Sequence, residues 1–262
     1  MFSSSRPDNG ASLPLVSTLG IALCLTLSIV LAACGSSPPP APSANQGAVL
    51  NVPTPSTVVL TNQLGRNVTL GGLKGKVVVL APFLTLCQDE CPLITAAFIG
   101  LQRDVRAAGL GNKVVFVEAT VDPGRDTVAR LAAYQKEFGA DWDLWTGSAT
   151  NLAIFWKEFG VSYLVVPEAQ PAHTDWYTGK PLTYDVNHTD GYILIGANGR
   201  ERFVDINAPD LNGKLSPKLT KLLDPGGVAG LHHPRPTSWT VNEALASISW
   251  LLGTNVPPAS GS

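Results

Sequence analysis

The sequence predicts an α/β sandwich built on a mainly parallel central sheet, and three observations lead there. Two continuous β-branched runs, residues 76–83 (KVVVLAPF) and 114–121 (VVFVEATV), read as strands buried on both faces. Segments with apolar residues at three- and four-residue steps separate the strand runs, as helices covering a sheet require. Asn198-Gly199, between two short apolar segments, marks an antiparallel hairpin at one side.

The elements follow in order. Residues 58–60 and 67–70 flank a Gly65-Arg66 turn, the pattern of a small hairpin. After the first buried strand, a helix starting at Pro92 carries Ile94, Phe98, Leu101, Val105 and Ala108 on one face, and Gly109 and Gly111 stop it. After the second strand, Asp126 is placed to cap a helix whose Leu131, Tyr134 and Phe138 share a face. Residues 143–145 make a short strand, and Leu152, Phe155, Trp156 and Phe159 line a further helix. Residues 161–166 read as a strand, followed by a polar loop and the hairpin of 192–195 with 202–204. Two C-terminal helices close the chain. The one beyond residue 224 opens on Thr240-Val241-Asn242-Glu243, a capping box. Gly71-Gly72 and Gly226-Gly227 read as turns. A thioredoxin-like sandwich fits this order, with a cysteine pair leaving the first central strand.

Ahead of the domain, residues 13–33 form an almost uncharged run closed by Cys34, with Arg6 as the only basic residue before it. About 20 apolar residues suffice to cross a bilayer, so an uncut signal anchor is one reading. Leu31-Ala32-Ala33-Cys34 resembles instead the lipobox of bacterial lipoproteins, where cleavage precedes the cysteine and its thiol is acylated. The Pro/Ser-rich stretch that follows is a semi-extended tether. The expected organisation is a signal peptide over 1–33, a tether over 34–49, the thioredoxin-like domain over 50–224, and an extension with one helix over 225–262. Either reading places the domain outside the cytoplasm, held to a lipid membrane.

Composition narrows the function. Hydrophobic residues make up 45% of the 262 and charged residues 15%, which excludes a disordered chain. Against 20 acidic residues, 18 Lys and Arg give a net charge of −2, without the basic surplus of a nucleic-acid binder. Of four cysteines, Cys24 leaves with the signal peptide and Cys34 takes lipid, so Cys87 and Cys91 remain. In an oxidising compartment such a pair is a structural disulfide, a redox couple or a metal site. As a staple it is poor, because closing so short a loop stabilises by only roughly 2 kcal/mol. Pro92 suits the first helical turn, which places Cys91 at the helix mouth, where the dipole lowers a thiol pKa. Asp89 and Glu90 act the other way and favour a nearby cation. Three intervening residues depart from the thioredoxin motif, and Thr85 lies two residues before Cys87 rather than the three of a peroxiredoxin. A metal would need a further ligand from His173, His188, His232 or His233. Two thiolates and an imidazole suit Cu(I), whereas structural zinc takes four protein ligands. His188 stands out because it immediately precedes a strand, while His232-His233 read as a solvated loop and His173 sits in a polar insertion.

Three separated motifs, FLTLCQDECPL, EATVDPGRDTVARLAAYQKEFGADWDLWTG and YDVNHTDGYILIGANGRER, resemble the Sco/SenC family of copper-binding cytochrome oxidase assembly proteins. The likeness runs over roughly residues 60–223. It implies a thioredoxin-like fold binding one copper ion through Cys87, Cys91 and His188. It also implies a client, the binuclear copper site of cytochrome c oxidase, to which the family delivers copper or whose thiols it reduces. Asn187 stands where the family commonly has an acidic residue, and the stretch from Glu168 to Lys180 and the tail beyond Asp224 fall outside the likeness. A copper chaperone, a thiol–disulfide oxidoreductase using Cys87 and Cys91, and a copper or redox sensor are the rival functions. The first is favoured, because disulfide exchange has no need of His188.

Overall fold

A computed structural model describes residues 37–259. Strand β1 (Ala48–Pro53) is followed by a small hairpin, β2 (Leu60–Asn62) and β3 (Asn67–Val68), and by the central strand β4 (Val77–Phe83). Helix α1 (Cys91–Ala107), β5 (Val114–Thr120), α2 (Val128–Phe138), β6 (Asp143–Thr146) and α3 (Ala149–Glu158) then alternate. A ribbon of β7 (Tyr163–Pro167) and β8 (Tyr184–His188) precedes the hairpin β9 (Tyr192–Ile195) and β10 (Arg200–Asp205). The chain closes with β11 (Pro209–Asp210), α4 (Pro217–Thr220), α5 (Pro225–His232), β12 (Trp239–Thr240) and α6 (Val241–Leu252).

Eight strands form one sheet in the order β1-β10-β9-β4-β5-β6-β2-β3. β4, β5 and β6 run parallel, and β9 and β10 continue the sheet antiparallel on the other side of β4. All seven residues of β4 are buried, as its unbroken apolar run demands. Pairing shows why both faces are covered. Glu118 of β5 lies beside Leu144 of β6, and Ala119 beside Trp145. Alternation along the strand then sends Glu118 toward Thr95 of α1 and Trp145 toward Phe155 of α3, on opposite faces. This is the α/β, thioredoxin-like sandwich expected from the sequence.

Several elements differ from expectation for identifiable reasons. β1 begins inside the segment read as tether; its residues are almost all exposed, so it has no period-2 signal, yet it pairs with β10 at the sheet edge. The 161–166 run does not join the main sheet. As β7 it pairs only with β8, and Leu164 and Val165 remain exposed. Thr127, not Asp126, caps α2, its side chain accepting from the Arg130 N–H. Beyond residue 224 there are two helices rather than one. Gly226-Gly227 lies inside α5, where Asp224 caps the helix and Pro225 starts it despite two glycines that read as a turn. The capping box at Thr240 forms as expected. Residues 1–36, with the expected signal peptide, Cys24 and Cys34, lie outside the described residues. Among the described residues, no helix is long and apolar enough to cross a membrane.

Candidate metal centre

The cysteine segment leaves the buried end of β4 and is fixed from three sides. Below it, the buried Asp126 carboxylate accepts the Thr85 N–H at 3.2 Å, the Thr85 hydroxyl, and the Thr120 hydroxyl at 2.6 Å. Burial nonetheless raises the Asp126 pKa to about 6. From the insertion, Trp176 donates its indole N–H to the Thr85 carbonyl at 2.7 Å. From the tail, the Asp224 N–H donates to the Gln88 carbonyl at 2.9 Å, and Gly227 sits so close that a Cβ there would lie 2.6 Å from that oxygen. The segment holding Cys87 therefore has little freedom.

Helix α1 opens at Cys91, with Glu90 as an N-cap that makes no side-chain capping bond. The Cys91 N–H is one of the orphan donors of the first turn, and it points at Cys87 Sγ, 3.4 Å away. The two thiols are chemically unequal. A hydrogen bond from the Cys91 side chain holds the Cys87 thiol well below its ordinary range, against burial and with help from His188. Burial pushes the Cys91 thiol well above it. Both cysteines are free thiols in this structure, Cys87 half-buried and Cys91 buried.

His188 ends β8, its side chain only 3% exposed. Nδ1 lies 2.8 Å from the Thr189 carbonyl, which can only accept, so Nδ1 carries a proton, and it is Nε2 that must give up its own to become a donor to a metal. Nε2 faces Cys91 Sγ at 3.3 Å. Burial alone would lower the His188 pKa, but the Cys87 sulfur and the Asp190 carboxylate, 3.7 Å from Nδ1, outweigh it and raise it to about 9. The ligand atoms of Cys87, Cys91 and His188 all lie within 4.8 Å of one another, the only such trio of metal-binding groups among the described residues. Two sulfurs and one imidazole nitrogen at that spacing fit one copper ion, and Cu(I) best.

The motif around Asp122 serves the histidine from a distance. Arg125 pairs with Asp122, lies 3.8 Å over the Tyr184 ring, and donates to the Tyr184 carbonyl at 2.7 Å. That pins the start of the strand that ends at His188. Beside Cys87 and His188 a cavity of about 240 Å³ carries acidic groups, among them Asp89, Glu90, Asp190 and Asp224. Burial raises Asp89 to about 6 and, with Asp190 adding to it, Glu90 to about 8.

Of the other histidines, His232 and His233 are exposed at the end of α5, apart from the trio. His173 stands outside the trio as well but lines the same cavity. Asn187 is exposed, and Asp190, two residues after His188, supplies the acidic neighbour. Sequence reasoning missed Asp190, Trp176 and the Asp224–Gly227 clamp. Only the Asx-Pro-Gly-Gly helix start could have drawn attention to the last.

A family model described as SCO1/SenC matches residues 53–216. The SCO1 protein homolog of Bacillus subtilis (strain 168) is 26% identical over 142 residues, covering 53% of this chain and 66% of its own length. The mitochondrial SCO2 homolog of Bos taurus is 30% identical over 140 residues, 53% of this chain and 49% of its own. The chain thus spans about half to two thirds of the length of these curated relatives. A solved structure, Bradyrhizobium japonicum ScoI with copper bound, is 25% identical, covers 70% of this chain and 97% of its own, and superposes with a TM-score of 0.48.

Proposed function

Because the chain belongs to the SCO1/SenC family across residues 53–216, we propose that it is an extracytoplasmic copper chaperone. It holds one copper ion on Cys87, Cys91 and His188 and supplies it to the binuclear copper site of cytochrome c oxidase. The observation that carries the reading is the convergence of two thiols and a tautomer-fixed imidazole within 4.8 Å. Each residue has its part. Cys87, already biased toward thiolate, is the first sulfur to engage the ion. Cys91 gives up its proton on binding, because a thiol coordinated to a metal is deprotonated. His188 completes a three-donor set that leaves room for an incoming client ligand. A lipid on Cys34 and the tether after it would hold this centre near the membrane face where the oxidase matures.

A second reading rests on the inequality of the two thiols. In a thiol–disulfide oxidoreductase, Cys87 thiolate attacks a client disulfide, forms a mixed disulfide with one client sulfur and expels the other as a thiolate. Cys91, once deprotonated, attacks Cys87 Sγ, releases the reduced client thiolate and leaves a Cys87–Cys91 disulfide. The anaerobic titration of the reduced full-length chain with Cu(I) separates the two. The chaperone reading expects a break at one ion per chain with a thiolate-to-copper absorption band. No tight copper, with retained disulfide exchange, would replace it by the oxidoreductase reading.

A further inference from the structure

The insertion between β7 and β8 contains a histidine built like His188 but outside the three-donor group. His173 Nδ1 lies 2.6 Å from Oε1 of Glu168, and its peptide N–H donates to the same oxygen at 3.2 Å. A carboxylate only accepts, so in the neutral ring Nδ1 is protonated and Nε2 is an unprotonated lone pair. Metal-ligating histidines are characteristically oriented this way, by a carboxylate on the other ring nitrogen. The His173 backbone is fixed too, its carbonyl accepting the Leu182 N–H at 2.8 Å.

Glu168 supplies the independent sign. Its side chain is only 4% exposed, and Oε2 has no hydrogen-bond partner. A buried carboxylate oxygen left unpaired is costly unless a positive charge comes to it. Glu168 and His173 line the same cavity as Cys87 and His188. They are not co-ligands with them. Pro167, next to Glu168, pairs with Tyr184, whereas Tyr163 at the other end of β7 pairs with His188. Four strand residues at about 3.3 Å each separate those ends, or about 13 Å. Asp185 and Asn187 line the cavity between them.

We propose that His173, oriented and charge-balanced by Glu168, is a staging ligand for copper at the far end of this cavity. The ion binds His173 Nε2 first and then exchanges inward to Cys87, Cys91 and His188, with no change in its oxidation state. Release follows the same path in reverse. The inference rests on the copper reading above and deepens it. Its site lies in the stretch between β7 and β8, on a ring 33% exposed and so reachable by a donor.

The test is the rate at which reduced full-length protein takes copper from the Cu(I)–bicinchoninate complex, followed by loss of that complex's colour. Copper retained at equilibrium is measured on the same samples. His173→Ala is expected to slow uptake at least ~10-fold, within the range that changes around metal ligands produce, with retention unchanged. Glu168→Gln should slow it less, and His232→Ala/His233→Ala should match the parent. Equal uptake by His173→Ala and parent overturns the proposal. So does slowing by Glu168→Gln alone, which would make the effect one of charge rather than ligation. Loss of equilibrium copper in His173→Ala would make it a resident ligand, also against the proposal. A parent that takes no copper removes the chaperone reading itself, and the staging site with it.

Discussion

Glu118 is fully buried on the face of β5 that meets α1, the helix that starts at Cys91. Its Oε1 accepts the Thr95 hydroxyl at 2.8 Å and its Oε2 the Trp142 indole N–H at 3.0 Å. Burial outweighs both bonds and raises its pKa to about 7, from an ordinary 4.5. The sign follows from proton counting. Between pH 4.5 and 7 the folded chain keeps a proton here that the unfolded chain has released, so stability falls as pH rises through that window. The gap converts to about 3 kcal/mol, complete below pH 4.5 and lost above 7. Glu118→Gln removes the titration and keeps the bonds. Its amide oxygen accepts from Trp142, and its NH₂ donates to Thr95, whose hydroxyl turns to Tyr134 Oη at 3.1 Å. Urea unfolding of both reduced proteins from pH 5 to 8 provides the assay, and the difference curve cancels other titrating groups. The variant should exceed the parent by less than about 1 kcal/mol at pH 5 and by about 3 kcal/mol at pH 8. Parallel curves would refute the reasoning.

Gly227→Ala should destabilise by about 1–3 kcal/mol, because its Cβ would meet the Gln88 carbonyl and Asp89 backbone; it should also speed Cys87 alkylation, and an unchanged alkylation rate would show that the tail does not restrain the loop. Joining Cys87 to Cys91 closes so short a loop that oxidation should raise Tm by less than about 10 °C, whereas collapse of the fold on reduction, seen by calorimetry, would make the pair a structural staple. Cys34→Ala should abolish lipidation and cleavage, and intact-mass analysis finding the parent unmodified at Cys34 with residues 1–33 still attached would defeat the lipid-anchor reading.

What was legible in the sequence was whatever carries a period or a spacing. The β4 and β5 runs, the α1 stripe and the Asn198-Gly199 hairpin were all readable because burial writes itself into apolar pattern. The cysteine pair and His188 were readable as donors, though only the fold brings them together from residues 97 apart. Features defined by contact rather than pattern were hidden. β1 is nearly all exposed, and its pairing with β10 leaves no trace in its own sequence. Asp126 looked like a helix cap because it precedes one. Instead it is the buried acceptor beneath Thr85, and its neighbour Thr127 caps the helix. Asp190 replaces the acidic neighbour that Asn187 lacks, a substitution visible only once β8 ends at His188.

The central claim is that three side chains jointly hold copper. Reduced parent, Cys87→Ser, Cys91→Ser and His188→Ala, each loaded with one equivalent of Cu(I), should be dialysed against a competing Cu(I) chelator and assayed for copper per chain. The parent should retain its ion, and each variant should hold it at least ~10-fold more weakly, His188→Ala while still exchanging its thiols with small disulfides. Parent-like copper retention in His188→Ala would contradict the three-ligand account.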